Sequence, residues 1–281
     1  MKMKTTTLEE FRAELLRTGG YDTAEGHCPK TRAKGGALTT LAYSWGVAYV
    51  FPMCALYEPL GKLTTDLWAH LCFKTVQRAE RLGIRVHLEG WKNREAYKGP
   101  VVYLCNHMST TETIFLPPIL LTYGPFSVVA KESLSHLPLL GRAAAHMGMV
   151  GIGRKSPRED LVKLLTVGEE RIRQGGSFLI FPQGTRQEVF SRKVFSSIGA
   201  KLAERAGCPI VPLVVDTRCQ LTRKEGWLKN IFKDFGPVDT SKDIRCCCGP
   251  VIAPAKARVM QEQAFDWMAT QLEAWGLPTE R

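Results

Sequence analysis

The feature that most constrains the fold is a series of short apolar runs in the region from Ile84 to Val215. The runs are rich in β-branched and aromatic residues, and stretches of helical periodicity separate them, as expected for alternating strands and helices. They are Val86–Leu88, Val101–Cys105, Phe126–Ala130, Met149–Ile152, Phe178–Phe181 and Ile210–Val215. Near-continuous apolar strands of this kind are typical of a sheet that is covered on both faces. The sequence therefore predicts an α/β fold with a mixed central sheet flanked by helices.

Helices are predicted between and after the later strands. Ser156 and Glu159 enclose Pro157 in a capping-box pattern with proline at the first helical position, which predicts a helix that runs to Arg173. Two further helices follow from the apolar periodicity, over Ser196–Arg205 and Lys256–Trp275.

The region before the first of these strands has a different character. No charged residue occurs between Lys34 and Glu58, so this stretch approaches the length of about 20 apolar residues that a bilayer requires. Polar residues and a proline dilute it, and aromatic residues such as Trp45 suit the membrane–water interface. Leu60–Leu82 then has the periodicity of an amphipathic helix. We expect an N-terminal two-helix membrane-docking motif, shallow or re-entrant; the alternative is a helical hairpin buried against the core.

The 281 residues show no Pro/Gly/Ser-rich linker and no internal repeat. The change of pattern after Leu82 nevertheless predicts three parts. These are an N-terminal basic and amphipathic segment, a membrane-docking helical pair and an α/β domain, over residues 1–34, 35–82 and 83–281.

The net charge of +11, from 38 Lys+Arg against 27 Asp+Glu, narrows the class of partner. An excess of positive charge attracts nucleic acid, anionic membrane surfaces and phosphorylated substrates alike. Nucleic-acid binding needs in addition a basic helix, a zinc framework or aromatic stacking motifs, and the sequence contains none of them. We therefore predict no nucleic-acid partner and leave membrane and phosphate open.

The nine cysteines indicate a reducing compartment, because their spacing fits no disulfide framework. Several lie in apolar segments, where a free thiol behaves as a small hydrophobic group. The run Cys246–Cys248 has the donor type for a metal site, but no second Cys/His pair stands at zinc spacing, so we predict no metal. The first residues carry charges where a signal peptide would be apolar, so secretion is not expected.

Candidate chemistry follows the predicted strands, as is usual at the carboxyl ends of strands in such sheets. His107 comes directly after the run Val101–Cys105, and Glu112 follows in a polar loop. An imidazole can take a proton near neutral pH, and a carboxylate on its other nitrogen fixes the tautomer. Taken alone, this spacing also fits a structural pair. No G-x-S-x-G nucleophile motif occurs, so the base would act on a hydroxyl of the substrate.

Two further strand ends carry groups suited to an anion. Gln183-Gly184-Thr185-Arg186 combines a flexible glycine, a hydroxyl and a guanidinium whose fork matches phosphate. Alone, it would also fit a turn with a surface arginine. Arg154, with Lys155 beside it, lies at a strand end and a helix N-terminus, where anions bind readily.

Five motifs occur in a fixed order along the chain. They are NHxxxxE at Asn106–Glu112, AKESL at Ala130–Leu134, GIGR at Gly151–Arg154, FPQGTR at Phe181–Arg186, and VPLV at Val211–Val214. In this order and spacing they resemble the glycerolipid acyltransferase family, whose type members act on 1-acylglycerol-3-phosphate. The resemblance covers about Ile84 to Val215 and the N-terminal helical pair.

The resemblance implies roles for individual residues. His107 matches the catalytic histidine that deprotonates the acceptor hydroxyl, and Glu112 stands where the family has an aspartate. The residues that match basic or phosphate-binding positions are Lys131, Arg154, Gly184, Thr185 and Arg186. Gln183 stands where the family has a glutamate, which removes a negative charge beside Arg186.

The resemblance also implies an activity and a location. A fatty acyl group would pass from acyl-CoA or acyl-carrier protein to the free hydroxyl of 1-acylglycerol-3-phosphate, giving phosphatidic acid without a bound cofactor. The protein would act at an anionic membrane surface, with its active site facing the cytoplasm. Two alternatives remain: an acceptor that is another lysophospholipid or a lyso-aminolipid, as Gln183 suggests, and a catalytically inactive lipid-binding homologue.

Overall fold

The computed structural model describes residues 4–136, 139–146, 148–153, 156–220 and 236–281. Its helices are α1 (Leu8–Thr18), α2 (Ala37–Ala48), α3 (Val50–Tyr57), α4 (Thr65–Arg81), α5 (Lys92–Glu95), α6 (Thr111–Leu120), α7 (Leu140–His146), α8 (Pro157–Arg173), α9 (Ile198–Ala206) and α10 (Ala257–Ala274). Its strands are β1 (Tyr21–Asp22), β2 (Val86–Glu89), β3 (Val102–Cys105), β4 (Phe126–Lys131), β5 (Val150–Ile152), β6 (Ser177–Ile180), β7 (Phe190–Ser191), β8 (Ile210–Asp216), β9 (Ile244–Cys248) and β10 (Thr279–Glu280).

Eight of these strands form one twisted central sheet in the order β1-β2-β9-β8-β3-β6-β4-β5. The five strands from β8 to β5 are mutually parallel, whereas β9 runs antiparallel to β8 and β1 antiparallel to β2. The predicted mixed sheet is therefore confirmed. A separate parallel pair joins β7 to β10.

The two faces of the sheet can be read from the alternation along β3. Tyr103 and Cys105 pack into a cluster with residues of α1 to α4 and α6, and Val102 and Leu104 pack into a second cluster with α8, α9 and α10. Both clusters exclude water, and each fully buried aliphatic side chain contributes about 1.5–3 kcal/mol. Helices thus cover both faces of the sheet, as the apolar strands predict.

Strand β9 contains the cysteine run and was not predicted as a strand. Cys246 and Cys248 belong to the first cluster and Cys247 to the second, so the three thiols alternate between the faces. All nine cysteines are free, and all except the half-buried Cys28 are buried. The interpretation of these thiols as small hydrophobic groups is confirmed. Cysteine and Arg245 give no β-branched signal, so the strand could not be recognised by propensity.

The three predicted C-terminal helices are present as α8, α9 and α10. The predicted capping box of α8 is wrong: within the described residues the Ser156 side chain makes no capping hydrogen bond. Instead, the carboxylate of Asp160 accepts a bond of 2.8 Å from the backbone amide of Gly153. Acidic residues in the first turn also interact favourably with the partial positive charge at the N-terminal end of the helix.

Residues of the N-terminal segment join the sheet. Phe11 and Leu15 of α1 are fully buried, and a reciprocal capping box between Thr7 and Glu10 begins that helix. Strand β1 then pairs with β2 through Tyr21. The segment over residues 1–34 therefore completes one edge of the molecule.

Helices α2 and α3 have one packed side and one exposed side. Tyr43 and Val47 of α2 are fully buried, whereas Leu38, Leu41 and Trp45 on its other side are 84%, 65% and 60% exposed. Tyr49 separates α2 from α3, and among the described residues no helix has both the length and the apolar character needed to cross a bilayer. The predicted amphipathic helix over residues 60–82 is α4, which begins one residue after its cap, Thr64.

Candidate active site

The parallel strands bring the sequence-predicted residues to one edge of the sheet. His107 follows β3, and the Gln183 loop follows the neighbouring strand β6. Lys131 ends β4, on the far side of β6, and Thr217 follows β8 on the opposite side of β3. Because carboxyl ends of parallel strands share an edge, residues far apart in sequence meet here.

The centre of this edge is a hydrogen-bonded pair of His107 and Glu112. Nδ1 of the imidazole lies 2.9 Å from Oε1 of the carboxylate. The His107 side chain is 17% exposed, whereas that of Glu112 is completely buried. Bonding at Nδ1 directs Nε2 to take a proton, so the imidazole has the geometry of a general base.

The turn that begins α6 surrounds the Glu112 carboxylate with donors. The backbone amides of Met108 and Ser109 both donate to Oε1, the second at 2.7 Å. Burial alone would raise the pKa of Glu112, but the hydrogen bond and charge of His107 and the bonds from Ser109 outweigh it, so the pKa is lowered. The carboxylate therefore stays ionised beside the imidazole.

Two hydroxyls bind the other carboxylate oxygen, and sequence reasoning missed both. Oε2 of Glu112 accepts from Ser109 Oγ at 2.7 Å and from Thr217 Oγ1 at 2.8 Å. Ser109 belongs to the motif around His107, so its position offered a weak signal. Thr217 is one residue beyond β8, where the only signal is a polar residue at the end of a buried strand.

An aromatic ring holds the imidazole from the side. Phe181 and His107 stack with ring centroids 4.3 Å apart and planes 25° from parallel. Such contacts add about 0.5–1.5 kcal/mol beyond the area they bury. The stack and the bond to Glu112 together restrict rotation of the His107 ring.

Gln183 joins its loop to the backbone of the histidine. Its Oε1 accepts a bond of 3.0 Å from the His107 amide, and its Nε2 lies 3.4 Å from the carbonyl oxygen of Val189. A second link runs from the Gln187 amide to the His107 carbonyl at 2.9 Å. Gln183 is only 7% exposed, so its amide group serves this junction.

The remaining residues of that loop lie beside the pair. Arg186 donates from its guanidinium to Thr110 Oγ1 at 2.9 Å, which places its charge one turn away from Glu112. Thr185 accepts a bond of 3.1 Å from the Gln187 side chain. Gly184 has φ of +69°, which favours glycine, and its amide donates to Phe181, so that amide is already engaged.

Of the other two predicted cations, Lys131 lies within the described residues. Lys131 is exposed at the end of β4, two strands and thus about 10 Å from β3. Arg154 lies outside the described residues; the strand before it, β5, is next to β4.

No reactive cysteine nucleophile is evident among the described residues of this edge. Burial raises the pKa of Cys105 well above its usual value and that of Cys219 to about 12, so both stay as unreactive thiols. Across the described ranges no three His, Cys, Asp or Glu side chains are grouped to hold a metal ion. The arrangement can support general-base chemistry by His107 beside a loop that carries the Arg186 guanidinium.

Comparison with known proteins places the chain in a family. A model of the acyltransferase family matches residues 83–216, the region that carries His107, Glu112 and Arg186. The 1-acyl-sn-glycerol-3-phosphate acyltransferase of Pseudomonas aeruginosa is 32% identical over 197 residues, which span 68% of this chain and 72% of the relative. The protein of the same name from Saccharomyces cerevisiae is 32% identical over 174 residues, spanning 60% of this chain and 54% of the relative.

A solved structure shares the architecture. The crystal structure of the 1-acyl-sn-glycerophosphate (LPA) acyltransferase PlsC from Thermotoga maritima has a TM-score of 0.59 and 16% identity, covering 85% of this chain and 95% of that one. At this identity the likeness establishes the fold, a central sheet flanked by helices. Since the family model spans the His107–Glu112 pair and the Pseudomonas relative extends the match over two thirds of the chain, the protein belongs to the acyltransferase family of enzymes.

Proposed function

We propose that the protein transfers a fatty acyl group from a thioester of coenzyme A or acyl-carrier protein to the free hydroxyl of 1-acylglycerol-3-phosphate, yielding phosphatidic acid. The observation that carries this proposal is the bond between His107 Nδ1 and the buried Glu112 carboxylate at 2.9 Å. A base without a protein nucleophile beside it fits direct attack by the hydroxyl of the acceptor. The names of the Pseudomonas and yeast relatives support the choice of acceptor.

In the proposed reaction His107 acts on the acceptor hydroxyl. Nε2 takes the proton as the hydroxyl oxygen bonds to the thioester carbonyl carbon, and the imidazolium that forms is stabilised by Glu112 through Nδ1. Collapse of the tetrahedral intermediate breaks the carbon–sulfur bond, and the departing thiolate takes the proton from Nε2. General-base catalysis of this kind is worth about 10²–10⁴ in rate.

The acceptor phosphate is proposed to bind the loop after β6. Arg186 supplies a guanidinium fixed by Thr110, within the same turn as the base. Gly184 and Thr185 let the phosphate approach the loop backbone, and Lys131 adds positive charge from the end of β4. Arg154 is proposed to supply a further positive charge to the phosphate. Gln183 contributes by anchoring this loop to the His107 amide.

The proposal for the acceptor has a direct test with purified protein. Palmitoyl-CoA and the matching acyl-carrier-protein thioester would each be offered with a panel of lysolipids, and products identified by mass. We expect phosphatidic acid as the main product. A preference for another lysophospholipid or a lyso-aminolipid would favour the alternative acceptor, and thioester-independent binding without transfer would favour an inactive lipid-binding protein.

The phosphate role of Arg186 is tested by Arg186→Ala. Because a hydrogen bond to a charged group is worth about 1.5–3 kcal/mol, KM for the lysolipid should rise about tenfold or more. Arg205→Ala is the matched control, since Arg205 is an exposed arginine that pairs with Glu169 on the far face of the sheet. An unchanged KM in Arg186→Ala would refute the assignment.

We further propose that helices α2 and α3 dock the protein on an anionic membrane, with the active site facing the cytoplasm. Leu38, Leu41 and Trp45 form the exposed side of α2, and Leu56 of α3 is 56% exposed. Apolar side chains on one side of a helix suit burial at the level of the lipid head groups, and the net charge of +11 favours anionic lipid.

Docking is tested by substitutions on the exposed side, because β1 and α4 belong to the folded core and a deletion would remove them. The double variant Leu41→Ser, Trp45→Ser should bind vesicles containing phosphatidylglycerol about 10²-fold less tightly or more weakly still, since each of the two buried side chains contributes about 1.5–3 kcal/mol. Val162→Ser, 57% exposed on α8, is the control. Equal vesicle binding by the double variant and the control would contradict docking through α2.

A further inference from the structure

The least expected feature of the active site is the second oxygen of the Glu112 carboxylate, which does not face the histidine. It accepts hydrogen bonds from Ser109 and Thr217, whose hydroxyl oxygens are themselves 2.9 Å apart. All three side chains are buried, with exposures of 2% or less. Water therefore cannot replace a missing hydroxyl without a rearrangement of the site.

The two carboxylate oxygens of Glu112 have hydrogen-bond partners from different parts of the sequence. Oε1 accepts from the His107 ring and from two backbone amides of the same turn, all local in sequence. Oε2 accepts from Thr217, which lies 105 positions along the chain at the end of another strand. Of the two carboxylate oxygens, Oε2 is the one whose described contacts reach the segment that follows β8.

The strand that supplies Thr217 is rigidly registered against the strand that supplies His107. The side chain of Asn106 donates to the Val215 carbonyl at 2.9 Å and accepts from the Val215 amide at 2.7 Å. These two hydrogen bonds extend the pairing of β3 with β8 by one further residue. The Thr217 hydroxyl is thus delivered to the carboxylate by a fixed frame.

The need for such a clamp follows from the length of the side chain. A glutamate has one more rotatable bond than an aspartate and loses more conformational freedom when it is fixed. Donors on both oxygens restrict that extra rotation and keep Oε1 against the imidazole. We propose that Thr217, with Ser109, is a positioning residue that holds Glu112 in the orientation required by the His107 base. This inference rests on the proposed function, in which His107 is the base.

The titratable neighbours of Glu112 make its effect on His107 measurable. Tyr43 of α2, Cys105 of β3 and Cys219 beyond β8 act electrostatically on or near the carboxylate, and burial raises the pKa of each well above neutrality. These three groups therefore stay neutral near neutral pH and do not change the charge around the pair. Without a donor on Oε2 the carboxylate is free to turn, so Oε1 lies against the imidazole for less of the time and the imidazolium is stabilised less.

Thr217→Val removes the hydroxyl and keeps the shape. We expect kcat to fall about tenfold, as for a lost bond to a charged group, with KM for both substrates unchanged. The acidic limb of the pH–rate profile should move to lower pH. Thr217→Ser, which keeps the hydroxyl, should restore both values, and Thr75→Val, a fully buried threonine on α4, should leave them as in the wild type.

A readout without turnover separates this inference from the proposed function. NMR titration of the histidine ring protons, with His107 identified by loss of its signal in His107→Gln, should show a lower midpoint in Thr217→Val than in the wild type. Ser109→Ala, which removes the other hydroxyl, should shift the midpoint in the same direction and covers the case in which Thr217→Val does not fold. If the wild type transfers no acyl group, the titration alone decides the inference. Wild-type midpoints in Thr217→Val and Ser109→Ala, or equal losses of kcat in Thr217→Val and Thr217→Ser, would overturn it.

Discussion

Glu80 and Glu112 are both buried carboxylates held by hydroxyl groups, yet their pKa values shift in opposite directions. At the N-terminal edge, Glu80 of α4 accepts bonds from Tyr21 at 2.5 Å and from Thr23 at 2.9 Å. Burial raises its pKa, and these two bonds do not offset the loss of hydration. At the catalytic edge, burial acts in the same sense on Glu112, but His107 and the bonds from Ser109 reverse it.

The comparison shows which neighbours decide the direction of the pKa shift of a buried carboxylate. Hydroxyl donors occur at both sites, so they do not decide the charge state. The catalytic edge adds an imidazole and the backbone amides that begin α6, where the helix end favours negative charge. The balance therefore shifts toward the ionised carboxylate at Glu112 and toward the protonated one at Glu80.

Neutralising each carboxylate in turn gives the largest expected contrast. Glu112→Gln should lower kcat by about 10²-fold or more, because an amide neither stabilises the imidazolium nor fixes the required tautomer. Glu80→Gln should leave kcat within about twofold of the wild type, since it lies at the other edge of the molecule. Steady-state assays of both variants measure these effects. Comparable losses of kcat in the two variants would contradict the assignment of a catalytic role to Glu112 alone of the two carboxylates.

The pH dependence of unfolding should have opposite signs at the two sites. The folded pKa of Glu80 is raised above its ordinary value of 4.5, so its stabilising contribution is complete below that value and is lost as the pH rises through the folded pKa. The folded pKa of Glu112 is lowered, so its contribution is complete above 4.5 and is lost as the pH falls through the folded pKa.

Urea unfolding of the wild type and both glutamine variants from about pH 2.5 to about pH 8 measures these contributions. The free-energy difference between wild type and Glu80→Gln should decrease with rising pH, and that between wild type and Glu112→Gln should decrease with falling pH. Differences that change in parallel would show that the two carboxylates share one electrostatic behaviour.

A smaller effect is expected from the phenol at the N-terminal edge. Tyr21→Phe removes one of the two donors to Glu80 and leaves a buried acceptor short of a partner, which should cost about 1 kcal/mol of unfolding free energy. Catalytic turnover should not change. Phe11→Leu, a substitution in the same packed cluster, provides a control for altered packing without a lost hydrogen bond. A loss of kcat in Tyr21→Phe would show instead that the N-terminal edge affects the chemistry at His107.

The smallest effect is expected at Gln183, which joins the loop after β6 to the His107 backbone. In Gln183→Glu the bond from the His107 amide is retained, but a carboxylate oxygen replaces the donor that faces Val189. We expect a loss of stability of about 1 kcal/mol and an unchanged ranking of lysolipid acceptors. An altered ranking would instead make Gln183 a determinant of head-group choice.

The part of the fold that sequence predicts is the part with a strong local signal. Six apolar runs and three C-terminal helices were located correctly because their patterns are local. Strand β9 was missed because Arg245 and three cysteines hide it, and β1 was missed because two residues carry no periodicity. Both acquire their structure from the strands with which they pair.

The same distinction holds within the site. His107 and Glu112 were predicted to form a pair because only four residues of one loop separate them, and their contact is present. Thr217 and Phe181 reach the pair only through the order of strands in the sheet, which no local pattern specifies. The contacts that Thr217 and Phe181 make with the pair join segments that are distant in sequence, whereas His107 and Glu112 are close together in the sequence.

The central claim is that His107 is the base of an acyl transfer, and turnover of His107→Ala tests it most directly. His87→Ala is the matched control, because His87 also contacts a carboxylate, Asp22 at 2.6 Å, but on the surface of the opposite edge. With palmitoyl-CoA and 1-acylglycerol-3-phosphate, the wild type and His87→Ala should form phosphatidic acid at similar rates, and His107→Ala should be slower by about 10²-fold or more. Phosphatidic acid formed by His107→Ala at the wild-type rate would contradict the account.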